Sequence, residues 1–457
     1  MRKAVLTFII LALTSPCFAK YSGGSGEPND PYQIADVTDL LILAADTNDY
    51  NKCFILTADI DLDPNLPEGQ VFTTALIAPD TNGSNYVFDG TPFIGVFDGL
   101  SHRIFNFTID TNTTFNDYLG LFGDINSGEV KNLGLQNVTV IGEYDSVYIG
   151  GLAGQNELGN ISNCFSTGIV ANGWYSGEMG GLVGKNCGNI RNCYSTCDVR
   201  GGFHTSCTGG LVGHNEGNIS ESYSMGDATS ISGGPIGYVY IGGLAGYNKS
   251  IINKCYSTGA VSDMGHFPHP GGLVGYSDQG TVLNSFWDVN TSGQTTSAGG
   301  TGKTTDEMQT QSTFTDARWD FVGETANGYY DFWRMCNEGL EYPKLAWQYL
   351  SGDIVCPDGV DIYDLNELCE QWLFDEIPAD LAPPPAGDGI VDFADFAIFA
   401  DQWGITNDIE ELLDFTGQWL KIGLSICSAD ISPLPDGDGR VDAEDFAIMA
   451  NDWLEGF

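Results

Sequence analysis

The sequence predicts a mainly β chain, a parallel β-helix (β-solenoid) with an N-terminal helical cap, followed by a small α-helical domain. Three observations carry this. A five-residue phrase recurs, GGLAG from Gly150, GGLVG from Gly180 and Gly209, GGLAG from Gly242 and GGLVG from Gly271, with a weaker LGLFG from Leu119; the starts lie 31, 30, 29, 33 and 29 residues apart. A fixed period of that size marks a stacked repeat. A second phrase follows at a near-constant offset, Gly188-Asn189-Ile190-Arg191-Asn192-Cys193-Tyr194-Ser195-Thr196, with counterparts from Gly159 and Gly217 and looser ones near Ser250 and Gly280. Beyond residue 350 the pattern changes to apolar residues at helical spacing between runs of acids.

Aligning the repeats gives columns. Val130, Ile161, Ile190, Ile219, Ile252 and Val282 share one; Leu133, Cys164, Cys193, Ser222, Cys255 and Ser285 another; Phe165, Tyr194, Tyr223, Tyr256 and Phe286 a third. Short alternating apolar bursts between Gly and Asn read as brief strands and tight turns. About thirty residues then make one coil of roughly three short strands, with coils ~4.8 Å apart, so each column becomes a ladder of like residues. A right-handed coil is the expectation, although the residues themselves leave the hand open. Glycine at these places reaches positive φ at corners and lets adjacent backbones approach. Asn156, Asn186, Asn215 and Asn248 recur just after the glycines, and a stacked structural Asn ladder is the expected outcome.

The phrases GGLVGxN and GNIxNCYSTG resemble the GLUG repeats of bacterial secreted and surface proteins, including adhesin-like proteins and the non-catalytic part of some IgA-cleaving metallopeptidases. The resemblance covers Leu119 to about Asp288. It implies a parallel β-helix and names no chemistry.

From the start of the chain, Met1 to Ala19 holds Arg2 and Lys3, an apolar run from Ala4 to Leu13, and Cys17-Phe18-Ala19 as a small-x-small site. This reads as a secretory signal peptide (1–19), too short for a permanent membrane span, with the mature chain beginning at Lys20. Pro16 disfavours lipid attachment at Cys17. Residues 20–92 are expected to form a cap and first coil: Val37, Leu40, Leu41, Leu43 and Ala44 recur at helical spacing, and a helix there would cover the open end of the first coil. The opening also looks like the segment that often precedes GLUG repeats. The solenoid proper is placed at 93–300, starting with an irregular coil around Phe93 to Ile104.

Charge excludes some partners. Without Arg2 and Lys3 the chain has 15 basic side chains against 61 acidic, a net charge of −46. Nucleic acid and anionic lipid are repelled, and no later run is apolar enough to span a membrane. Eleven cysteines follow Ala19, an odd number. Cys164, Cys193 and Cys255 read as small buried apolar residues. Cys187, Cys193, Cys197 and Cys207 crowd one repeat without the spacing of a zinc site. A disulfide among them is compatible with export, its pairing open.

Residues 301–350 are expected as a C-terminal cap and linker. Gly299-Gly300-Thr301-Gly302-Lys303-Thr304 invites a phosphate-loop reading, but Ser297 stands where that signature needs Gly and the strand-loop-helix context is missing. Trp287 to Phe332 reads instead as a terminal coil and its cap.

Residues 351–457 hold 25 acidic and 2 basic side chains. Their acids are patterned: Asp388-Gly389-Ile390-Val391-Asp392 leads to Asp395, and Asp436-Gly437-Asp438-Gly439-Arg440-Val441-Asp442 leads to Asp445. Such loops, ending in the first turn of a helix, supply the six to eight oxygens that Ca2+ takes. Asp364, Asp395, Glu411 and Asp445 each stand eight residues before a Trp (Trp372, Trp403, Trp419, Trp453), giving helices with one apolar stripe. This tail resembles dockerin modules (type I, EF-hand-like), the calcium-binding units that attach secreted bacterial proteins to cohesin partners. Carried onto this chain, the resemblance implies ligands at Asp430, Asp436, Asp438, Asp442 and Asp445, at Asp380, Asp388, Asp392 and Asp395, and at Asp353, Asp358, Asp361 and Asp364. The chain departs from the pattern. Asp380 and Asp430 lie fifteen residues before Asp395 and Asp445 rather than eleven, and Val355 and Pro357 take the third and fifth positions of the first loop.

Two functions follow. One is a secreted non-enzymatic surface, adhesin-like or scaffold-attached protein, with the solenoid as a binding or spacer rod for a glycan or cell-surface ligand and the tail docking a cohesin-like partner. The alternative is a carbohydrate-active enzyme, a polysaccharide lyase or glycoside hydrolase on a β-helix. Chemistry of that kind needs a facing carboxylate pair or a base beside a neutralised acid. Lys185, Arg191, Arg200, Lys249 and Lys254 look scattered over different columns, no HExxH is present, and Glu143, Asp145, Glu157 and Glu178 are the acids that could gather on one side. The expectation is no catalytic residue.

Overall fold

Between Tyr32 and Lys303 the chain winds into a parallel β-solenoid of about six turns. The computed structural model describes residues 20–349 apart from 68, 84, 113–114, 145, 175–176, 204, 232–238, 264, 266–267 and 329, together with Asp353 and Cys356. Two compact units are formed, one up to Met308 and one from Gln309 onward.

From Tyr148 onward each coil has four walls, where the repeat pattern predicts roughly three. The coil after Tyr148 shows them as Tyr148–Gly150, Ala153–Asn156, Asn160–Ser162 and Phe165–Trp174. The extra wall arises because the paired glycines bend the chain: Tyr148–Gly150 ends and Ala153–Asn156 begins around Gly151 and Leu152. Stacked, the walls make sheets of five, six, nine and thirteen strands. The nine-stranded sheet starts at Tyr32–Ile34, passes through Cys53–Leu56 and Val96–Asp98, and ends at Thr281–Leu283.

The expected columns are the observed registers. Phe97 pairs with Val130, then Val130 with Ile161, Ile161 with Ile190, Ile190 with Ile219, Ile219 with Ile252 and Ile252 with Val282. Ile161, Ile190, Ile219 and Ile252 are at most 1% exposed. The aromatic column stacks nearly parallel, Phe165 on Tyr194 at 4.9 Å, Tyr194 on Tyr223 at 5.0 Å and Tyr223 on Tyr256 at 4.8 Å between ring centres. These separations match the spacing of hydrogen-bonded strands.

The glycines and asparagines divide their work differently from the expectation. None of the GGLxG glycines has positive φ; they serve close approach. A Cβ on Gly180 would sit 2.0 Å from the Val183 carbonyl oxygen and 2.7 Å from that of Leu211. The left-handed corner falls instead on Asn132, Asn163 and Asn192 (φ 51°, 51° and 56°), where a short polar side chain relieves the strain by local bonding. Their amides also link, Asn163 to Asn132 at 2.9 Å and Asn192 to Asn163 at 2.6 Å. The Asn156, Asn186, Asn215, Asn248 ladder lies inside the coil with no solvent exposure.

The N-terminal cap forms as expected. Val37–Ala45 is a helix whose Asp36 side chain accepts from Asp39 N at 3.0 Å, and Leu40 and Leu43 are buried in the solenoid core. At the other end Thr301–Lys303 pairs with Phe286–Asp288 as the final rung, so the glycine-rich stretch is a terminal strand and not a phosphate loop.

In the second unit, Phe314, Trp319, Phe321, Trp333 and Leu345 are buried, with Trp319 and Trp333 ring centres 4.5 Å apart. Trp333–Arg334 pairs antiparallel with Lys344–Leu345. Cys336 and Cys356 form a disulfide. Cys187, Cys193, Cys197 and Cys207 remain thiols; the first three occupy different columns of one coil and Cys207 opens the next, and Cys164, Cys193 and Cys255 are fully buried.

Candidate functional site

The residue before the ladder Asn in GGLxGxN lies outside the apolar core, and with it the residue two before the paired glycines. Stacking turns these into two adjacent columns. On the six-stranded sheet Asp124, Gln155, Lys185, His214, Tyr247 and Tyr276 follow one another rung by rung. On the five-stranded sheet Tyr148, Glu178, Cys207 and Tyr240 do the same. Unlike the core columns, neither keeps one residue type along its length, so this face has a composition of its own.

Aromatic and charged groups meet along it. Tyr240 stacks on Tyr276 at 4.7 Å, and Tyr247 lies 5.5 Å from Tyr240 and 5.4 Å from Tyr276. Tyr276 is 42% exposed. The Tyr247 hydroxyl donates to Asp278 at 3.1 Å; burial first, and this bond second, push its pKa up to about 12. One rung below, the His214 ring packs 4.6 Å from Tyr247. Its Nδ1 is 3.4 Å from Glu178 Oε1 and its Nε2 3.4 Å from Glu216 Oε1. Neither that Nε2 nor Glu178 Oε2 has a hydrogen-bond partner among the described residues.

Glu216 is the charge centre of the face. Lys249 bonds it at 2.9 Å and Lys185 approaches to 3.9 Å. Burial opposes ionisation at Glu216, but the Lys249 bond and the charges of Lys185 and His214 outweigh it and hold the carboxyl below its ordinary range. Two of the five repeat cations that look scattered in sequence therefore converge on one acid, because Lys185 and Lys249 sit on the coils just before and just after that of Glu216. Lys185 also lies 5.5 Å over the Tyr148 ring and Lys249 5.7 Å over Tyr247, within cation–π range. Arg191 and Arg200 go elsewhere, to Glu221 at 3.3 Å and Asp198 at 3.0 Å.

At the N-terminal end of the face Asp124 is 3% exposed and its Oδ1 has no hydrogen-bond partner among the described residues. Burial, reinforced by the nearby Glu157 charge, pushes its pKa up to about 7. Of the four acids expected to gather, Glu157 and Glu178 belong to this face, Glu157 accepting from Gln155. Glu143 lies on the thirteen-stranded sheet, and Asp145 is outside the described residues. On that same sheet's side, a shallow polar depression of about 200 Å³ is lined by Asp63, Pro64, Asn106, Thr108, Asn137 and Thr139.

Twelve of the thirteen calcium-ligand candidates, Asp358 to Asp445, lie outside the described residues. The thirteenth, Asp353, is 5% exposed, and Arg334 Nη2 donates to its Oδ1 at 3.0 Å. A guanidinium thus occupies an oxygen that a first calcium loop would use.

His214, Glu216, Tyr240, Tyr247 and Tyr276 were not legible as a group from the repeats. The signal that could have found them is the second x of GGLxGxN, which runs through Gln155, Lys185, His214, Tyr247 and Tyr276 while its neighbours repeat.

Comparison with known proteins agrees with the fold. Residues 145–171 match the family model of the GLUG motif. Halomucin of Haloquadratum walsbyi (strain DSM 16790 / HBSQ001) is 32% identical over 166 residues, which is 35% of this chain and 2% of halomucin. A "Putative Gly-rich membrane protein" of Evansella cellulosilytica is 47% identical over 55 residues, 11% of this chain and 6% of that protein. The matches therefore span a small part of either relative. A solved structure from Bacteroides ovatus, described as a "putative immunoglobulin A1 protease", superposes with a TM-score of 0.51 at 21% identity, covering 72% of this chain and 96% of that one. At that identity the likeness is one of fold. Motif and fold coincide: the GLUG match falls within one coil of the stacked repeats.

Proposed function

We propose that this chain is a secreted, non-enzymatic surface or scaffold-attached protein. In this reading the solenoid is a binding or spacer rod for a glycan or cell-surface ligand. Residues 351–457 are a dockerin-like module that docks a cohesin-like or other surface partner when calcium is bound. The observation that carries the rod is the unbroken register from Phe97 to Val282: it holds the outward Tyr, His and Glu groups at a constant axial spacing on a rigid support. Support for the docking half is the sequence pattern of the tail, with its acids placed around turn glycines.

A polysaccharide lyase or hydrolase is the alternative. Asp124 is the observation on its side, since a carboxyl titrating near neutrality suits general acid work. Its burial argues against it, because a polymer cannot reach a side chain 3% exposed.

One experiment separates the two. The mature chain is screened for binding to glycan arrays and bacterial cell surfaces, in calcium and in chelator, beside an assay for reducing ends and unsaturated products. Binding without turnover is expected. Product release abolished by Asp124→Asn would overturn the non-enzymatic reading.

A further inference from the structure

We infer that the ring cluster Tyr240, Tyr247 and Tyr276, with His214 and Glu178 beside it, binds an uncharged polysaccharide laid along the solenoid axis. This rests on the reading of the solenoid as a binding rod and names the ligand class and place.

Three features point to such a ligand. First, the rings come from two successive coils and one is 42% exposed, although tyrosine elsewhere in the repeats, as at Tyr223 and Tyr256, is buried in a regular stack. An exposed aromatic cluster flanked by polar groups is the composition of a binding surface. Tyrosine rings offer flat apolar faces to the C–H faces of pyranose rings and keep a hydroxyl at the edge.

Second, polar groups with spare capacity stand next to the rings. The Glu178 and His214 side chains are 17% and 15% exposed beside the rings, and each has a polar atom, Glu178 Oε2 and His214 Nε2, that makes no hydrogen bond among the described residues. Sugar hydroxyls both donate and accept, so one ligand can satisfy a carboxylate oxygen and an imidazole nitrogen together. Glu178, His214, Tyr247 and Tyr276 lie on successive coils. Contacts recur about every 4.8 Å along the axis, a geometry for a repeating polymer rather than a compact small molecule.

Third, charge selects against acidic polymers. The net charge is −44 over the whole sequence, and the two lysines of this face are engaged with Glu216. A polyanion would meet repulsion without a free cation to offset it. A neutral chain meets none.

The test is affinity electrophoresis of the full mature chain in gels containing soluble β-glucan, galactomannan or, as the acidic control, polygalacturonate. Retardation by a neutral polymer and none by polygalacturonate is expected. Tyr276→Ala and Tyr247→Ala should each weaken binding about tenfold or more, with unchanged circular dichroism. Arg191→Ala, on another sheet, should bind like the wild type. Retardation that survives both tyrosine changes, or a preference for polygalacturonate, overturns the site. Labelling of bacterial cells by wild type and Tyr276→Ala alike would overturn it too, leaving the rod reading intact. Loss of both glycan and cell binding in the wild type would bring down the two together.

Discussion

Asn186 donates its side-chain amide to Asn215 Oδ1 at 2.8 Å, and neither side chain has any solvent exposure. The same bond joins Asn156 to Asn186 and Asn215 to Asn248, each at 2.8 Å. A buried amide makes an acceptable core residue only when its donor and acceptor are paired, and here each coil supplies the partner for the next. Asn186→Ala would leave the Asn156 amide with only the Gly159 carbonyl, at 3.2 Å, and would take away the donor to Asn215 Oδ1. A loss of about 3 kcal/mol in urea unfolding is expected. Unfolding at the wild-type midpoint would show that the ladder contributes nothing.

Ile190 is 1% exposed between Ile161 and Ile219. Ile190→Asp would bury a charge with no partner and should abolish folding or cost several kcal/mol. Ile190→Val, which removes one methylene, should cost about 1 kcal/mol. Far-ultraviolet circular dichroism through a thermal melt distinguishes these outcomes.

Asp124 predicts a pH dependence with a definite sign. Its folded pKa is raised to about 7, first by burial and then by Glu157, while in the unfolded chain it returns to its ordinary value near 3.8. Between those values the folded state holds a proton that the unfolded state has released. Its contribution to stability is therefore full below pH ~4, falls as pH rises and is lost above ~7. Asp124→Asn should remove this slope and be more stable than the wild type at pH 8, with the difference closing toward pH 4. Urea midpoints of the pair at pH 4.5, 6 and 8 check it. A difference constant with pH would mean that Asp124 is ionised in the folded chain.

What could be read from the sequence is whatever stacking makes periodic. Ile190 and Tyr194 announce themselves because each must touch its own kind above and below. The Asn186 ladder is legible for the same reason. The fourth wall was not, because the bend at Gly151 and Leu152 divides one short apolar run, Ile149 to Ala153, into two walls with no polar residue between them. The left-handed corner at Asn163 and Asn192 was not either, since positive φ was expected of the glycines and several columns repeat Asn. The outward face was hidden because Lys185, His214 and Tyr247 share a position and not a residue type. Arg334 and Asp353 are nineteen residues apart with no motif linking them, and only the fold brings them together.

That pair bears on the last prediction, which concerns calcium. Asp436, Asp438, Asp442 and Asp445 crowd one stretch, so without a cation their charges repel and the segment carrying Phe446 and Trp453 should loosen. Calcium that binds the folded form preferentially would stabilise it by ~2.7 kcal/mol at a hundred times its dissociation constant. The solenoid, held by apolar and amide ladders, should hardly respond. Calorimetry of residues 20–457 in millimolar calcium and in chelator should thus show one transition that moves and one that does not. Asp445→Ala should remove most of the shift. Asp353→Ala should behave differently, because its carboxylate lies on Arg334 at 3.0 Å with both side chains buried. It should leave the calcium shift nearly intact while lowering stability in chelator and calcium alike, by about 3–5 kcal/mol if the guanidinium is left unpaired. A calcium shift abolished by Asp353→Ala would place this residue among the ligands after all. Identical melting in chelator and calcium would sink the docking module together with its metal.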